Sequence, residues 1–214
     1  MDATGITAVF LKSIFSGIKK GDCVGFGRYC QENSGEKTPI EWLALQTSGT
    51  TVLLISRCAL DCKPYQAYYK EDMTWENCDL RTWLNGEFLR NAFTGEEQKM
   101  IALSKLANDD NPEYGTSGGN STEDRVFCLS LAEAESFFES REARKEHPAP
   151  YAVKQGVNKY CPDKGEDRGQ SLLVVAAFYL PFLKKRKIMK KKLTRGTNMR
   201  RVSSLFMPAL ARRK

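Results

Sequence analysis

The sequence predicts an α+β domain, a twisted antiparallel sheet flanked by short helices. Two observations carry that expectation. Ile40-Glu41-Trp42-Leu43-Ala44-Leu45 and Thr51-Val52-Leu53-Leu54-Ile55-Ser56 are β-prone runs joined by a short polar turn, Thr47 to Thr50, which is most simply an antiparallel hairpin. Helical spacing first emerges after them, at Leu80, Trp83 and Leu84, and strands and helices then follow one another without regular βαβ alternation. No glycine-rich phosphate loop and no internal repeat interrupts this order.

Taken in order, residues 1–18 form a leader with no assigned role. Ala8-Val9-Phe10-Leu11 and Ile14-Phe15 are apolar, but Asp2 precedes them, Lys12 interrupts them and no cleavage pattern follows, which makes a poor signal peptide. Gly21 to Tyr29 alternates loosely through Val24 and Phe26 and reads as a first strand; Gln31 to Lys37 is a polar turn. After the hairpin, Ala59 to Tyr65 is a connector halted by Pro64. Thr74 or Asn77 is positioned to cap a helix presenting Leu80, Trp83 and Leu84 on one face, with Gly86 dividing it into two pieces. Thr94-Gly95-Glu96-Glu97 has capping-box spacing and starts a helix ending near Met100 or Ile101. Asn108 to Asp124, dense in Asn, Asp, Gly and Ser, is a long surface loop. Arg125 to Leu129 is a further strand, Ser130 opens a helix running to about Phe138, and Pro150 starts one more helical turn, stopped at Gly156.

Composition narrows the function classes. The 214 residues carry a net charge of +7, yet 13 of the 33 Lys and Arg fall between Lys184 and Lys214, a stretch with no Asp or Glu. The other 20 face 26 acidic residues, a net of −6, so the body is mildly acidic and only the tail is basic. Seven scattered cysteines without CxxC pairs, and a single histidine, His147, argue against a structural zinc site and fit a reduced, cytoplasmic setting. No stretch approaches the roughly 20 apolar residues that span a bilayer.

The motifs Ile40-Glu41-Trp42, Leu53-Leu54-Ile55-Ser56, Ala59-Leu60-Asp61 with Pro64-Tyr65, Thr74-Trp75-Glu76, Leu80-Arg81, Trp83-Leu84-Asn85 and Ala92-Phe93, followed by Asp124-Arg125-Val126-Phe127, Leu129-Ser130 and Tyr151-Ala152-Val153, resemble a bacterial domain of unknown function, DUF family 6273. The resemblance runs from about Gly21 to about Cys161. It implies a C-type-lectin-like, formylglycine-generating-enzyme-like fold and no defined chemistry.

The chain departs from that family late. The family pattern continues with Trp-Trp-Leu-Arg-Ser, whereas here Ser171 precedes Leu172-Leu173-Val174-Val175-Ala176-Ala177-Phe178-Tyr179. Cys-Trp-Trp-Leu-Arg-Leu-Ser-Thr, written TGC TGG TGG TTG CGG CTT TCT ACC, becomes Leu-Leu-Val-Val-Ala-Ala-Phe-Tyr when a T precedes it and it is read one register earlier. The expectation is therefore a frameshift near Ser171. It divides the chain into a leader at 1–18, a domain at 19–170 that is incomplete at its C-terminus, and an apolar then polybasic tail at 171–214 lying outside the native fold.

Each candidate site residue also has a plainer role. Trp42, Trp75 and Trp83 with Tyr65 are able to line a ligand cleft, but each lies in an apolar pattern that favours the core. Arg81 is expected to pair with Glu76 or Asp79 as a structural ion pair. His147, between Glu146 and Pro148, is a bystander with no nucleophile motif to serve. Cys128 and Cys161 are the only late cysteines and lack a motif for cysteine-based oxidation. Asp109, Asp110 and Glu113 are calcium candidates whose simpler reading is a solvated turn.

No catalytic, cofactor-binding or metal residue is assigned, and no cofactor. The leading expectation is a non-catalytic module binding a glycan or protein ligand. The alternatives are an inactive remnant of an enzyme-like domain, and a protein tethered by residues 184–214 to anionic membrane or nucleic acid, where clustered cations attract phosphates.

Overall fold

The structure, a computed structural model, describes residues 17–68, 73–110, 115–140, 143–144, 147–156, 171–174 and 176–181. Its strands are β1 (Cys23–Cys30), β2 (Lys37–Ser48), β3 (Thr51–Ser56), β4 (Asp61–Pro64), β5 (Ser104–Leu106), β6 (Thr122–Asp124), β7 (Ser171–Val174) and β8 (Ala177–Pro181). The main sheet has the order β1-β2-β3-β8, and β4-β7 and β5-β6 form two small ladders; every ladder is antiparallel. The α+β reading holds.

The hairpin is as its alternation requires. Ser48 pairs with Thr51 across the turn and Trp42 with Ser56 at the far end. The register shifts between Ala44 and Gln46, and Ala44 and Leu45, successive residues of the strand, are buried in the cores on opposite faces. A second shift lies between Gly25 and Arg28 in β1, where Gly27 has φ +71°. A Cβ at Gly27 would stand 2.6 Å from Phe93 Cδ1 and 2.7 Å from the Ala92 carbonyl oxygen. Gly27→Ala should therefore lose about 2–3 kcal/mol, from the left-handed backbone and the overlap together, measurable by urea unfolding.

The helical segment starts differently from its sequence expectation. Trp75–Asn77 is a single 3-10 turn preceded by Thr74, and the α-helix proper, α1 (Asp79–Trp83), is capped by Cys78, whose sulfur accepts from the Arg81 amide at 3.4 Å. Gly86 does not break it. The helix widens into a π-helical turn, Leu84–Phe88, and continues as α2 (Leu89–Ala92). Leu80, Leu84, Phe88 and Leu89 are buried, with Trp83 at the margin, so the expected apolar face is present.

Thr94 and Ser130 form capping boxes with Glu97 and Glu133, starting α3 (Gly95–Met100) and α4 (Leu131–Phe137). Pro150 opens α5 (Pro150–Lys154), closed by Gly156 at φ +120°. The strand expected at Arg125–Leu129 is only one bridge, Phe127 to Ala177. Conversely, β4 lies in the expected connector, and β6 ends the expected loop by pairing with β5.

The largest correction concerns the C-terminal segment. Residues 171–174 and 176–181 do not lie outside the fold: β7 pairs with β4 and β8 with β3. Ala177, Phe178 and Leu180 are fully buried. The outer edge of β8 is occupied too, because Phe127 and Ala177 exchange amide hydrogen bonds and the Ala102 amide donates to the Tyr179 carbonyl. The unbroken apolar run of β8, Ala177 to Leu180, suits a strand covered on both faces. The polybasic run 184–214 and most of the 1–18 leader lie outside the described residues.

Both faces of the sheet carry core. Phe26, Ile40, Trp42, Val52, Leu54, Phe178 and Leu180 pack with the helical segment on one side. Leu45, Leu53, Ile55 and Ala177 pack with Phe127 on the other, flanked by Phe137 and Phe138. Trp42 donates its indole N–H to the Phe26 carbonyl at 2.7 Å and lies 4.6 Å, edge-on, from Phe178.

Candidate functional site

A buried carboxylate organises the surface beside the helical segment. Asp124, at the end of β6, is 1% exposed and accepts four hydrogen bonds. Its Oδ1 receives Arg81 Nε at 2.7 Å and Asn85 Nδ2 at 3.1 Å; its Oδ2 receives Trp75 Nε1 at 3.0 Å and the Thr122 hydroxyl at 2.8 Å. Arg81 thus pairs with Asp124, and neither with the Glu76 nor with the Asp79 carboxylate. It reaches Glu76 only at the backbone carbonyl, while the Asp79 carboxylate accepts from the Ala67 amide. Asn85, carried by the π-helical turn, accepts the Arg125 and Val126 amides at 2.8 and 3.1 Å and donates to the Val126 carbonyl. The helix and the 122–126 segment are locked together by side chains alone.

That network holds Trp75 in the lining of a cleft of about 550 Å³. Tyr65, Met73, Trp75 and Leu80 supply one wall, and Leu106 to Asp109 with Thr116 to Gly118 the second. Cys128 to Ser130 and Glu133 of α4 complete it. The loop sits tightly. A Cβ at Gly118 would lie 2.1 Å from the Asn108 carbonyl oxygen, and one at Gly119 would lie 2.8 Å from Thr74 Cβ. The Gly118 amide donates to Asp110 Oδ1 at 3.0 Å, and Asn108 Nδ2 reaches the Asn120 carbonyl at 2.6 Å.

Tyr65 and Cys128 line the cleft, Cys78 is buried in contact with them, and burial favours the protonated form of all three. Burial, assisted by Cys78, pushes the Cys128 thiol up to about 12 from an ordinary 9.0. Burial also raises Cys78, against the opposing hydrogen bond from the Arg81 amide, and raises the Tyr65 phenol, which hydrogen-bonds to the Cys78 sulfur. A thiolate is the reactive form, so these shifts run against nucleophilic chemistry. They also set an alkaline limit. A group raised on folding contributes stability fully present below its unfolded pKa and lost as pH rises through the folded one. Stability should therefore be flat through neutrality and fall from about pH 9 towards about 12, as alkaline titration followed by circular dichroism would read.

Of the aromatic candidates, Trp75 and Tyr65 line the cleft, whereas Trp42 is wholly in the core. Trp83 packs against Phe88 at 5.3 Å, with Lys63 Nζ 5.0 Å over its ring. His147 is exposed, and its backbone carbonyl accepts from the Ala59 amide. Asp109 lines the cleft and Asp110 holds the loop; Glu113 and Cys161 lie outside the described residues. Among the described residues no three His, Cys, Asp or Glu are grouped so as to hold a metal ion, and no helix is long and apolar enough to cross a membrane.

Asp124 and Asn85 were missed as site-forming residues, as were Thr116, Ser117 and Glu133 at the cleft. The signal for the first two was present, since both belong to the motifs that carry the family resemblance.

The features so far define an α+β domain built around a sheet with core on both faces and an aromatic-walled surface cleft. Residues 49–171, more than half of the chain, match the family model described as Domain of unknown function (DUF6273), and the chain belongs to that family. No curated protein and no solved structure matches it.

Proposed function

We propose that this domain is a non-catalytic ligand-binding or interaction module of lectin-like fold, with the cleft between Trp75 and the Asn108–Gly118 loop as its binding site. The observation that carries this reading is a cleft of about 550 Å³ whose aromatic wall is pre-set by the Asp124 network. That size falls within the usual range for small-molecule sites, and a pre-set wall reduces the ordering cost of binding. The raised Cys128 thiol and Tyr65 phenol in its lining support binding over covalent catalysis. A thermal-shift screen of small molecules, beside a glycan array with and without calcium, tests it. A true ligand at a hundredfold excess over Kd should add about 2.7 kcal/mol of stability and raise Tm by several degrees. Trp75→Ala should abolish that response. A hit whose response survives Trp75→Ala places the site elsewhere, and the absence of any hit sinks the reading.

A second proposal concerns the gene: its reading frame changes close to Ser171. The family match ends at residue 171, and the last acidic residue of the chain is Asp167. The apolar sequence after the change is β-prone, which suits it to strand positions whatever its origin. Reading the other two frames through this region decides the matter, since the absence of Trp-Trp-Leu-Arg there would dismiss the idea. In the cytoplasmic setting expected from the scattered cysteines, tethering through residues 184–214 would register as salt-dependent binding to anionic vesicles or nucleic acid.

A further inference from the structure

The charge of the cleft narrows its ligand further. We infer that it takes an organic cation, an ammonium group on an apolar stem; this deepens the ligand-binding reading and depends on it. Two acidic residues line the cleft, Asp109 on the loop and Glu133 on α4, whose carboxylate also accepts the Ser130 amide at 2.8 Å, and no Lys or Arg stands among its described lining residues. The guanidinium of the neighbouring network, Arg81, is paired with Asp124 at 2.7 Å. Among the described lining residues, two acidic side chains therefore stand with no basic side chain beside them. Low-dielectric walls concentrate such a field within a concave site, attracting cations and repelling phosphates and carboxylates.

The apolar wall accounts for the rest of the ligand. Trp75, Tyr65 and Met73 offer contact area to a hydrocarbon or aromatic stem, and the face of an indole or phenol ring attracts an ammonium ion. Trp75 is held through its Nε1, so its ring has a fixed plane. A neutral polyol would use Asn108, Thr116 and Ser117 but gain nothing from Asp109 and Glu133. The same chemistry is offered by a free amine and by a lysine side chain, and the test separates the two.

The full chain is titrated, by tryptophan fluorescence and by amide NMR shifts, with phenethylammonium, 2-phenylethanol and 3-phenylpropanoate, three probes of similar shape and different charge. Nα-acetyl-lysine N-methylamide is the fourth arm. The expected result is that the ammonium binds about tenfold or more tightly than the alcohol, with the carboxylate weakest. Asp109→Asn with Glu133→Gln should remove that preference while leaving Tm nearly unchanged, because glutamine preserves the capping box of α4. Saturation by the lysine amide at concentrations like those needed for phenethylammonium would point to a peptide side chain, and a much weaker response to a free amine. Equal affinity for the three charge states overturns the cation assignment and leaves the binding site standing. No response to any probe overturns the assignment too, and with an empty thermal-shift screen it removes the ligand-binding reading as well.

Discussion

Phe178→Ala should destabilise the domain by about 3–5 kcal/mol, the usual cost of emptying a fully buried aromatic site. The side chain is completely buried where the sheet meets the helical segment. Its ring centroid is 4.6 Å from Trp42, 5.6 Å from Phe93 and 5.7 Å from Phe26. These partners sit on a β-strand, a loop and another β-strand, so none can move inwards without disturbing the others. A chain ending at Gln170 should fare worse. It would lose all of β8, leaving the β3 edge from Thr51 to Ile55 and the opposite amides of Ala102 and Phe127 without partners. Since a domain has only about 5–15 kcal/mol of net stability, the shortened chain should not unfold cooperatively at all. Urea denaturation of Phe178→Ala, and near-ultraviolet circular dichroism of the shortened chain, are the measurements. A cooperative, native-like transition in the latter would show that 171–181 is dispensable after all.

That expectation reverses what composition suggested, and the reason is instructive. The hairpin and both capping boxes were legible because their signals are local: alternation within six residues, and a serine or threonine three residues before a glutamate. The Ser171–Pro181 segment was judged by its neighbours instead. The missing family motif and the basic run after it draw the boundary, and the β-propensity of Leu172 to Tyr179 does not enter that reading. Its pairing partners, Thr51 to Ile55, lie more than a hundred residues earlier, and no local pattern announces such a pairing. The cleft was illegible for the same reason, since its walls come from three separated segments around residues 65–80, 106–118 and 128–133. Cys78 was passed over as a cap because serine, threonine, aspartate and asparagine are the usual choices, and Thr74 and Asn77 stood close by.

Asp124 shows the same limit at a single residue, and it yields the second large effect. In the sequence it is one polar residue at the end of a polar loop. Its burial is produced by Arg81, Asn85 and Trp75, which stand 43, 39 and 49 residues away. Asp124→Ala removes the acceptor of four donors at once and leaves a guanidinium, only a quarter exposed, without its carboxylate. Breaking a buried pair from one side costs about 3–5 kcal/mol, much of it from the stranded charge. Asp124→Asn is no rescue, because its amide would present a donor where the native oxygen meets two. Replacing Arg81 by Met as well should recover part of the loss, and the double-mutant cycle with Asp124→Ala should show strong coupling. The consequence extends to the cleft. With Trp75 Nε1 unpartnered the indole loses its fixed plane, so the Asp124→Ala, Arg81→Met double variant should bind cleft ligands more weakly even where it remains folded. If Arg81→Met and Asp124→Ala instead prove additive, and ligand affinity is unchanged, the network is a set of independent contacts and does not pre-set the site.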